Sequence, residues 1–222
     1  MLSIVIPTLN AAESLAATVA ALGGDVAGEI VIADGGSMDK TRQVALAAGA
    51  RVVEARRGRG TQLATGAAAA QGDWLLFLHA DTRLDPGWAP QAAGFMADPA
   101  NATRAAAFAF ALDDNDPRAR RLERAVAWRC RVLGLPYGDQ GLLIARGFYE
   151  ALGGYRPLPL MEDVDLVRRI GRARLTMLPA RAVTSAERWR REGWYRRSAR
   201  NLACLSLWFL GVPPAAIARL YR

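Results

Sequence analysis

Acidic side chains stand at three places where an apolar stretch of the chain ends or begins. Asp34 and Asp81 each follow a short apolar run. Glu162 and Asp163 precede a segment with the apolar spacing of a helix. Carboxylates can bind a hard divalent cation together with phosphate oxygens, and one of them can take a proton from an attacking hydroxyl. These positions therefore predict a site that combines charge neutralisation with general-base catalysis.

Each acid also has a structural interpretation that the sequence leaves open. Asp34 could form a turn with the two glycines after it, and Asp81 could cap a following helix. Glu162 and Asp163 could serve only to stabilise the N-terminus of their helix. The recurrence of acids at successive element ends favours the chemical interpretation.

The first half of the chain alternates β-branched runs with helical stretches, which is the order of βαβ units around a mostly parallel sheet. The predicted strands are Leu2–Ile6, Glu29–Ala33, Arg51–Glu54 and Trp74–Leu78. The predicted helices are Ala12–Leu22, Met38–Ala48 and Gly60–Ala70, with Asn10 and either Ser37 or Asp39 as helix caps. Ligands of open α/β sheets bind beyond the carboxyl ends of the strands, so the loops after the strands are predicted to form the site.

The second half is predicted to be less regular and to end in an appendage. Its predicted elements are a strand at Ala105–Leu112, a helix at Arg118–Leu133, a strand at Leu142–Ala145 and helices around Phe148–Leu152 and up to Arg172. From Glu187 the chain is basic and then apolar, with a short helix predicted after Pro213. We therefore predict a main domain over residues 1–186 and a helical tail over residues 187–222.

Four segments, in this order, carry a resemblance to a known family. They are Ser3–Asn10, Val31–Asp39, Leu76–Thr82 and Met161–Asp163. The chain resembles the large inverting family of glycosyltransferases with the GT-A fold, often called family two. It also resembles a compact bacterial branch of these transferases whose genes are associated with radical-SAM and selenodomain genes. The resemblance implies a Rossmann-like, mostly parallel mixed sheet flanked by helices over residues 1–186.

This resemblance implies an enzyme that moves a sugar from a nucleoside diphosphate sugar to a hydroxyl of a lipid-linked or small-molecule acceptor. It implies a Mn²⁺ or Mg²⁺ ion held by Asp81, and Asp163 as the catalytic base of an in-line displacement. Glu162 would orient Asp163, the ion or the acceptor, and the two acids could exchange roles. The residues implied or expected to face the nucleotide are Pro7, Thr8, Asn10, Asp34, Arg59, Gly60 and Ala80.

Two positions depart from the pattern of the family. Gly35 replaces an acid that commonly follows the first aspartate, and His79 replaces the first aspartate of the Asp-x-Asp motif. The imidazole of His79 could bind the metal, support a ligand or simply end the strand. If the strand continued through Asp81, both side chains would share one face, whereas a turn at Ala80 would separate them.

Basic residues are concentrated in two further segments. Arg59 and Gly60 open a helix within a run of arginines, where guanidinium and backbone amide groups could meet phosphate, or where the charges could simply be solvated. The segment Tyr137–Gly141 resembles an acceptor-side loop of the family. The tail mixes arginines with tryptophans and leucines, a composition that suits an anionic membrane surface but also packing on the protein itself.

Composition narrows the class of protein. The 222 residues are 52% hydrophobic and carry a formal net charge of +8, which excludes a disordered chain and implies acidic partners. Cys130 and Cys204 show no paired spacing, so neither a disulfide framework nor a zinc site is predicted. We expect a cytoplasmic location, peripheral at the inner face of a bacterial membrane, and no nucleic acid as partner. The alternatives are a basic membrane- or nucleic-acid-binding module and, less favoured, a sugar nucleotidyltransferase.

Overall fold

The computed structural model describes residues 1–23 and 28–221. Its strands are β1 (Leu2–Thr8), β2 (Glu29–Asp34), β3 (Arg51–Glu54), β4 (Trp74–Phe77), β5 (Thr82–Leu84), β6 (Ala105–Leu112), β7 (Leu142–Ala145) and β8 (Leu175–Thr184). Its α-helices are α1 (Ala12–Ala20), α2 (Thr41–Ala47), α3 (Arg59–Ala69), α4 (Trp88–Ala97), α5 (Pro117–Leu133), α6 (Arg146–Ala151), α7 (Glu162–Ile170), α8 (Glu187–Glu192), α9 (Trp194–Phe209) and α10 (Pro214–Tyr221).

The strands form one mixed sheet in the order β3-β2-β1-β4-β7-β6-β8-β5. Strands β1 to β4 pair in parallel, β6 pairs in parallel with β8, and β7 and β5 are antiparallel to their neighbours. This arrangement confirms the predicted mostly parallel, helix-flanked α/β sheet. It also sends the carboxyl ends of β1, β2, β4, β6 and β8 to one edge.

Side chains that alternate along the strands build a core on each face of the sheet. Ile4 and Ile6 of β1 pack on one face with Leu15 of α1 and Trp88 of α4. Val5, between the two isoleucines, packs on the other face with residues of α3, α6 and α7. The period of two along β1 therefore assigns the helices to two layers.

The predicted strands and helices of the first half are confirmed, with boundary shifts of a few residues, and so are β6, α5, β7 and α6. The helix α7 ends at Ile170, two residues before the predicted end. The short helix after Pro213 is confirmed as α10. Two strands, β5 and β8, and the helix α4 were not predicted.

The predicted helix caps are confirmed in part. The N-cap residues themselves do not cap α1 or α2, but Asp39 Oδ1 accepts from Thr41 N–H, the first backbone donor of α2. The Asn10 amide oxygen accepts from the backbone N–H of Met38 and does not cap α1, while Asp39 Oδ2 accepts from Ala12 N–H. The loops after β1 and β2 therefore cap each other across the site edge, and Asn10 adopts a left-handed conformation with φ 52°.

As far as Tyr221, the tail consists of α8, α9 and α10 joined by short non-helical connections. Trp189 and Trp194 are buried in a cluster with residues of β6 and α5, and Leu205 is buried against α7. No helix among the residues described, 1–23 and 28–221, is long and apolar enough to cross a bilayer.

Candidate active site

The polar residues predicted from the sequence converge at the edge where parallel strands end. Thr8 ends β1 and pairs with Asp34 at the end of β2, while β4 ends at Phe77, just before His79 and Asp81. Because β7 runs antiparallel to β4, the loop before β7 enters at the same edge, with Leu142 opposite Phe77. The α7 N-terminus completes the site with Glu162 and Asp163.

Asp163 is held by a backbone donor from the loop before β7. The Gly138 N–H donates to Asp163 Oδ2 over 2.8 Å. A methyl group at Gly138 would lie 2.6 Å from His79 Nε2 and 3.5 Å from the same Asp163 oxygen. Gly138 therefore lets the imidazole and the carboxylate approach one backbone position.

Glu162 is the buried member of the acidic pair. It is 1% exposed, and its Oε1 lies 3.4 Å from Arg59 Nη1 at the start of α3. Burial raises the pKa of Glu162, an effect that Arg59 opposes and the negative charge of Asp163 reinforces. Asp163, in contrast, is half-buried and lines the cavity of the site. The two carboxylates that the sequence could not distinguish thus have different environments.

The backbone before this pair is strained. Met161 has a left-handed conformation with φ 66°, which a residue with a side chain rarely adopts. Such conformations cost roughly 1 to 3 kcal/mol and persist where surrounding structure enforces them. Met161 O accepts from Asp165 N–H at 2.9 Å, and the Asp165 carboxylate pairs with Arg156 at 3.0 Å and with Arg169 at 2.6 Å, so an ion-pair network surrounds this turn.

Gly60 has a packing role in the same region. A Cβ atom at this position would lie 2.2 Å from the carbonyl oxygen of Arg156 and 3.2 Å from Glu162 Cβ. Gly60 is buried, whereas Arg59 beside it is 43% exposed through its side chain. The start of α3 is therefore pressed against the segment that leads into α7, and Arg59 is the accessible member of the pair.

Asp34 is fully buried and saturated with hydrogen bonds. Its Oδ1 accepts from Thr8 and Ser37 hydroxyls, and its Oδ2 accepts from Gly36 N–H, Ser37 N–H and Arg42 Nε. Burial opposes ionisation here, but the bonds from Ser37 and Arg42 prevail and lower the pKa of Asp34. The carboxylate therefore fixes the loop after β2, and a contact with nucleotide stays a prediction.

His79 and Asp81 lie on a turn. The Thr82 N–H donates to His79 O at 3.2 Å, so the strand does not continue through Ala80. Both side chains nevertheless line the same cavity. Burial, and then the positive charge of Arg59, lower the pKa of His79 to about 3. Asp81 leads into β5, so its interpretation as a helix cap was wrong.

The cavity that joins these residues has a volume of about 410 Å³. Its polar end contains Arg59, His79, Asp81, Asp139, Glu162 and Asp163. This volume lies within the range of roughly 300 to 1,000 Å³ that is typical of small-molecule sites. The cavity then continues away from the acids between α5 and α9.

The sequence model of the family described as glycosyl transferase family 2 matches residues 3–153. The chain belongs to glycosyl transferase family 2. It is therefore a glycosyltransferase, and the interpretations as a non-enzymatic binding module or a sugar nucleotidyltransferase are excluded. No curated protein sequence matches the chain.

Solved structures show the GT-A fold of this family-2 chain. Glucosyl-3-phosphoglycerate synthase from Mycobacterium tuberculosis, in complex with Mn²⁺, UDP and glucosyl-3-phosphoglycerate, aligns with a TM-score of 0.59 and 22% identity over 83% of this chain and 70% of the other. The same enzyme with phosphoglyceric acid aligns with a TM-score of 0.64 and 21% identity over 96% of this chain and 81% of the other. The second alignment covers 96% of this chain, which is more than residues 1–186 alone, so the structural similarity extends into the tail.

The departure at Gly35 from the family pattern has a steric cause. Gln62 of α3 is buried and donates to the carbonyl oxygens of Thr8 and Ala33 at 2.7 and 3.0 Å. A Cβ atom at Gly35 would lie 2.9 Å from Gln62 Nε2. An acidic side chain at position 35 is therefore incompatible with this placement of Gln62.

Two residues of the site were given no role of their own by the sequence, although Asp139 lies in the segment Tyr137–Gly141 that resembles an acceptor-side loop. Asp139 lines the cavity, and burial raises its pKa to about 6, with the negative charges of Asp163 and Asp81 adding to the effect and Arg129 opposing it. Arg188 of α8 also lines the cavity, and its charge contributes to lowering the pKa of His79. The Gly-Asp turn was a visible signal for Asp139, whereas nothing in the sequence distinguished Arg188 from its neighbouring arginines.

Proposed function

We propose that this glycosyltransferase moves a sugar from a nucleoside diphosphate sugar to an acceptor hydroxyl, with inversion at the anomeric carbon. The observation that carries the proposal is the position of Asp163. It is half-buried, held by Gly138 N–H, and faces the same cavity as Asp81. The complex of the Mycobacterium tuberculosis enzyme with Mn²⁺ and UDP supports this class of donor, because the two chains share a fold.

A divalent ion, Mn²⁺ or Mg²⁺, fits the residues present. Among residues 1–23 and 28–221, no three His, Cys, Asp or Glu side chains are placed to enclose an ion. An ion that arrives on a diphosphate needs only one or two protein ligands, because phosphate oxygens and water complete its shell. Asp81 would hold this ion, with His79 beside it on the same turn. The ion would neutralise negative charge on the departing diphosphate.

Asp163 is proposed as the general base of a single displacement. One of its carboxylate oxygens accepts the proton of the acceptor hydroxyl while the hydroxyl oxygen of the acceptor bonds to the anomeric carbon. The bond from the anomeric carbon to the phosphate oxygen breaks at the same time, and the nucleoside diphosphate leaves with the electron pair. One base suffices for inversion, so the buried Glu162 is assigned to positioning, through its contact with Arg59.

Two positive groups that line the cavity would bind the diphosphate. Arg59 is contributed by α3 and Arg188 by α8, and both line the cavity. Pro7, Thr8 and Ala80 do not line the cavity, so we assign them to the shape of the loops beside it. The remaining predicted nucleotide residues, Asn10, Asp34 and Gly60, would act mainly by holding the loops around it.

Donor hydrolysis and transfer test this proposal in two steps. The purified chain is incubated with Mn²⁺ and UDP-, GDP- and dTDP-sugars, and release of the nucleoside diphosphate is measured without acceptor. We expect slow hydrolysis of one donor class. Asp81→Ala should lose both this hydrolysis and metal-dependent nucleotide binding. Hydrolysis of none of these donors, with no nucleotide binding by calorimetry, would contradict the proposal.

Asp163→Asn then tests the assignment of the base. The amide keeps the shape but cannot take a proton, so we expect nucleotide binding to persist while transfer falls roughly 10²- to 10⁴-fold. Asp73→Asn is a matched control, because Asp73 is 84% exposed through its side chain and lies outside the cavity. Transfer by Asp163→Asn within a few-fold of the control would remove Asp163 from the mechanism.

We also propose a peripheral membrane contact through the tail, at the cytoplasmic face. Tyr195, Leu202 and Phe209 recur every seven residues along α9 and are 71%, 64% and 49% exposed. Exposed arginines such as Arg196 flank this apolar stripe. A stripe of this kind beside cationic side chains suits insertion into an anionic lipid surface.

A further inference from the structure

The cavity is much larger than its polar end, and its remainder lies between two helices distant in sequence. From α5 the lining residues recur with helical spacing: Leu122, Ala125, Val126, Arg129 and Leu133. From α9 they do the same: Arg197, Ser198, Asn201, Leu202 and Leu205. We call this space the apolar chamber. It opens directly onto Asp163 and the other acids.

The walls of the apolar chamber are mainly hydrocarbon and already ordered by packing. Val126 and Trp189 belong to a buried cluster on one side. Val164 and Leu205 belong to a separate buried cluster on the other side. These two clusters hold the opposite walls in place, so the chamber is a preformed space next to Asp163.

The cationic side chains of the cavity offer little to a strongly anionic acceptor. Arg129 stacks on the Tyr137 ring at 3.5 Å and donates to Leu135 O, and Arg197 pairs with Glu192 at 2.9 Å. Arg59 faces Glu162. In the part of the chain that the structure describes, only Arg188 among the lining arginines has no hydrogen-bond or ion-pair partner, and we assign it to the donor diphosphate.

Three residues of the α8–α9 wall have a buried polar atom without a partner. Trp189 Nε1, Arg197 Nε and Asn201 Oδ1 have no hydrogen-bond partner within residues 1–23 and 28–221. All three residues line the cavity, and Trp189 is only 8% exposed. Buried polar atoms are nearly always bonded, so these two N–H groups and the amide oxygen are suited to neutral acceptors and a neutral donor on a bound molecule.

The mouth of the apolar chamber is apolar too. Trp128, Leu133 and Leu202 line the cavity yet are 54%, 47% and 64% exposed. Leu202 also belongs to the exposed stripe of α9. A hydrocarbon segment longer than the chamber could therefore continue across the rim without meeting a charged wall.

We propose that the acceptor is a neutral amphiphile, whose hydroxyl reaches Asp163 and whose hydrocarbon portion fills the apolar chamber between α5 and α9. This inference rests on the proposed transfer reaction and names its acceptor class. The fold neighbour from Mycobacterium tuberculosis is crystallised with phosphoglyceric acid, a small anion. The apolar walls of the present cavity favour an acceptor with a hydrocarbon portion over a small anion, because burying hydrocarbon is favourable and burying an unpaired charge is not.

A series of alkyl glycerol ethers tests the proposal, with glycerol itself and butyl, hexyl and octyl ethers below their micelle concentrations. Transfer is followed by the mass of the glycosylated product, and donor hydrolysis is measured separately. We expect kcat/KM to rise by about two- to fourfold per added methylene until the chamber is filled. Glycerol 3-phosphate is the anionic comparison. A flat series, or a preference for glycerol 3-phosphate, would overturn the proposal.

Two variants of α5 test whether the dependence of kcat/KM on alkyl length arises in the apolar chamber. Ala125 and Ala127 are both exposed, but only Ala125 lines the cavity. Ala125→Trp would fill the apolar chamber and should lower kcat/KM for the octyl ether by about tenfold or more, while donor hydrolysis and thermal unfolding stay unchanged. Ala127→Trp, which adds the same ring outside the chamber, should behave as wild type. Equal effects of the two variants, or none, would overturn the proposal.

Binding is also measured without turnover, to separate this inference from the proposed function. Titration of octyl glycerol into the protein should change tryptophan fluorescence, since Trp128 and Trp189 line the cavity, and Ala125→Trp should weaken the binding. Donor hydrolysis with no binding of the ether would contradict the acceptor class alone. Binding of the ether with no hydrolysis of any donor would contradict the proposed function while leaving the chamber occupied.

Discussion

Gly138 connects two functional side chains that are far apart in the sequence. Its N–H fixes Asp163, and its missing side chain makes room for His79. The φ angle of Gly138 is not positive, so a glycine is required here because a side chain would collide with His79, and not because of the backbone conformation. This residue is thus a sensitive point at which to perturb the site without straining the fold.

Gly138→Ala should reduce transfer by at least about tenfold, because the new methyl group must push His79 or Asp163 out of place. Global stability should change little. Gly147→Ala is the matched control, since Gly147 has no neighbour within 4 Å of a built Cβ. Equal specific activities of the two variants in the same transfer assay would show that the contact does not matter.

Asp139 gives a prediction about pH. Its pKa is raised to about 6 by burial, so the folded state holds a proton that the unfolded chain has lost above the ordinary value of 3.8. Stability from this group is therefore present at low pH and is lost as the pH rises through about 6. Asp139→Asn removes that loss, so its gain in Tm over wild type should be larger at about pH 8 than at about pH 5.

Asp116→Asn is the opposite-sign control for this measurement. Hydrogen bonds from Arg118 lower the pKa of Asp116 to about 2, so its contribution is present at neutral pH and is lost in acid. Asp116→Asn should therefore lower Tm at neutral pH. A Tm gain for Asp139→Asn that does not vary with pH would show that its carboxyl titrates normally.

At the scale of elements, the start of α7 is the most constrained part of the site. Asp165 sits one turn inside the helix and binds Arg156 from the preceding loop and Arg169 from the following turn. Arg169 in turn donates to the carbonyl oxygens of Leu152 and Gly154. This network ties α6, the loop and α7 together, and it holds the left-handed Met161 that aims the acidic pair.

Asp165→Ala should lower the free energy of unfolding by about 3 kcal/mol, because it leaves a largely buried arginine without its partner. Asp85→Ala removes the exposed ion pair with Arg181 and should cost less than about 1 kcal/mol. Urea titrations of both variants measure the difference. Similar losses in the two would show that the network around Asp165 adds nothing beyond a surface pair.

At the scale of the whole molecule, residues of the tail form part of the site. Arg188 and the α9 wall belong to the cavity, while the adjoining face of α9 carries the exposed apolar stripe, which shares Leu202 with that wall. A net charge of +8 favours approach to an anionic surface. The position of the stripe beside the chamber mouth would let one contact serve both attachment and access.

The paired substitution Tyr195→Ser with Leu210→Ser should weaken cosedimentation with phosphatidylglycerol-containing vesicles and leave donor hydrolysis intact. These residues are 71% and 78% exposed and lie outside the cavity. Leu46→Ser, at a remote site 63% exposed, is the control. Absence of vesicle binding by wild type would contradict the membrane contact. Self-association that the paired substitution abolishes would assign the exposed apolar surface around Tyr195 and Leu210 to a second copy of the chain.

Some of the fold was not predictable from local patterns. β8 contains Pro179, which weakens a strand pattern because proline cannot donate to the ladder. In the sheet, the register with β6 shifts so that Phe108 pairs with Leu178 and Ala109 with Arg181, and Pro179 lies in the resulting bulge. Only the partner strand could show that this irregularity is tolerated.

The sequence by itself determined where the parallel strands lie along the chain and which acids follow them, because apolar runs and turn residues are local signals and parallel strands end at one edge. It did not distinguish Glu162 from Asp163, which differ in burial and in their hydrogen-bond partners. The contact between His79 and Gly138 and the chamber between α5 and α9 were decided by the tertiary structure. Both join segments dozens of residues apart, whose distance depends on the packing of the sheet and helices between them.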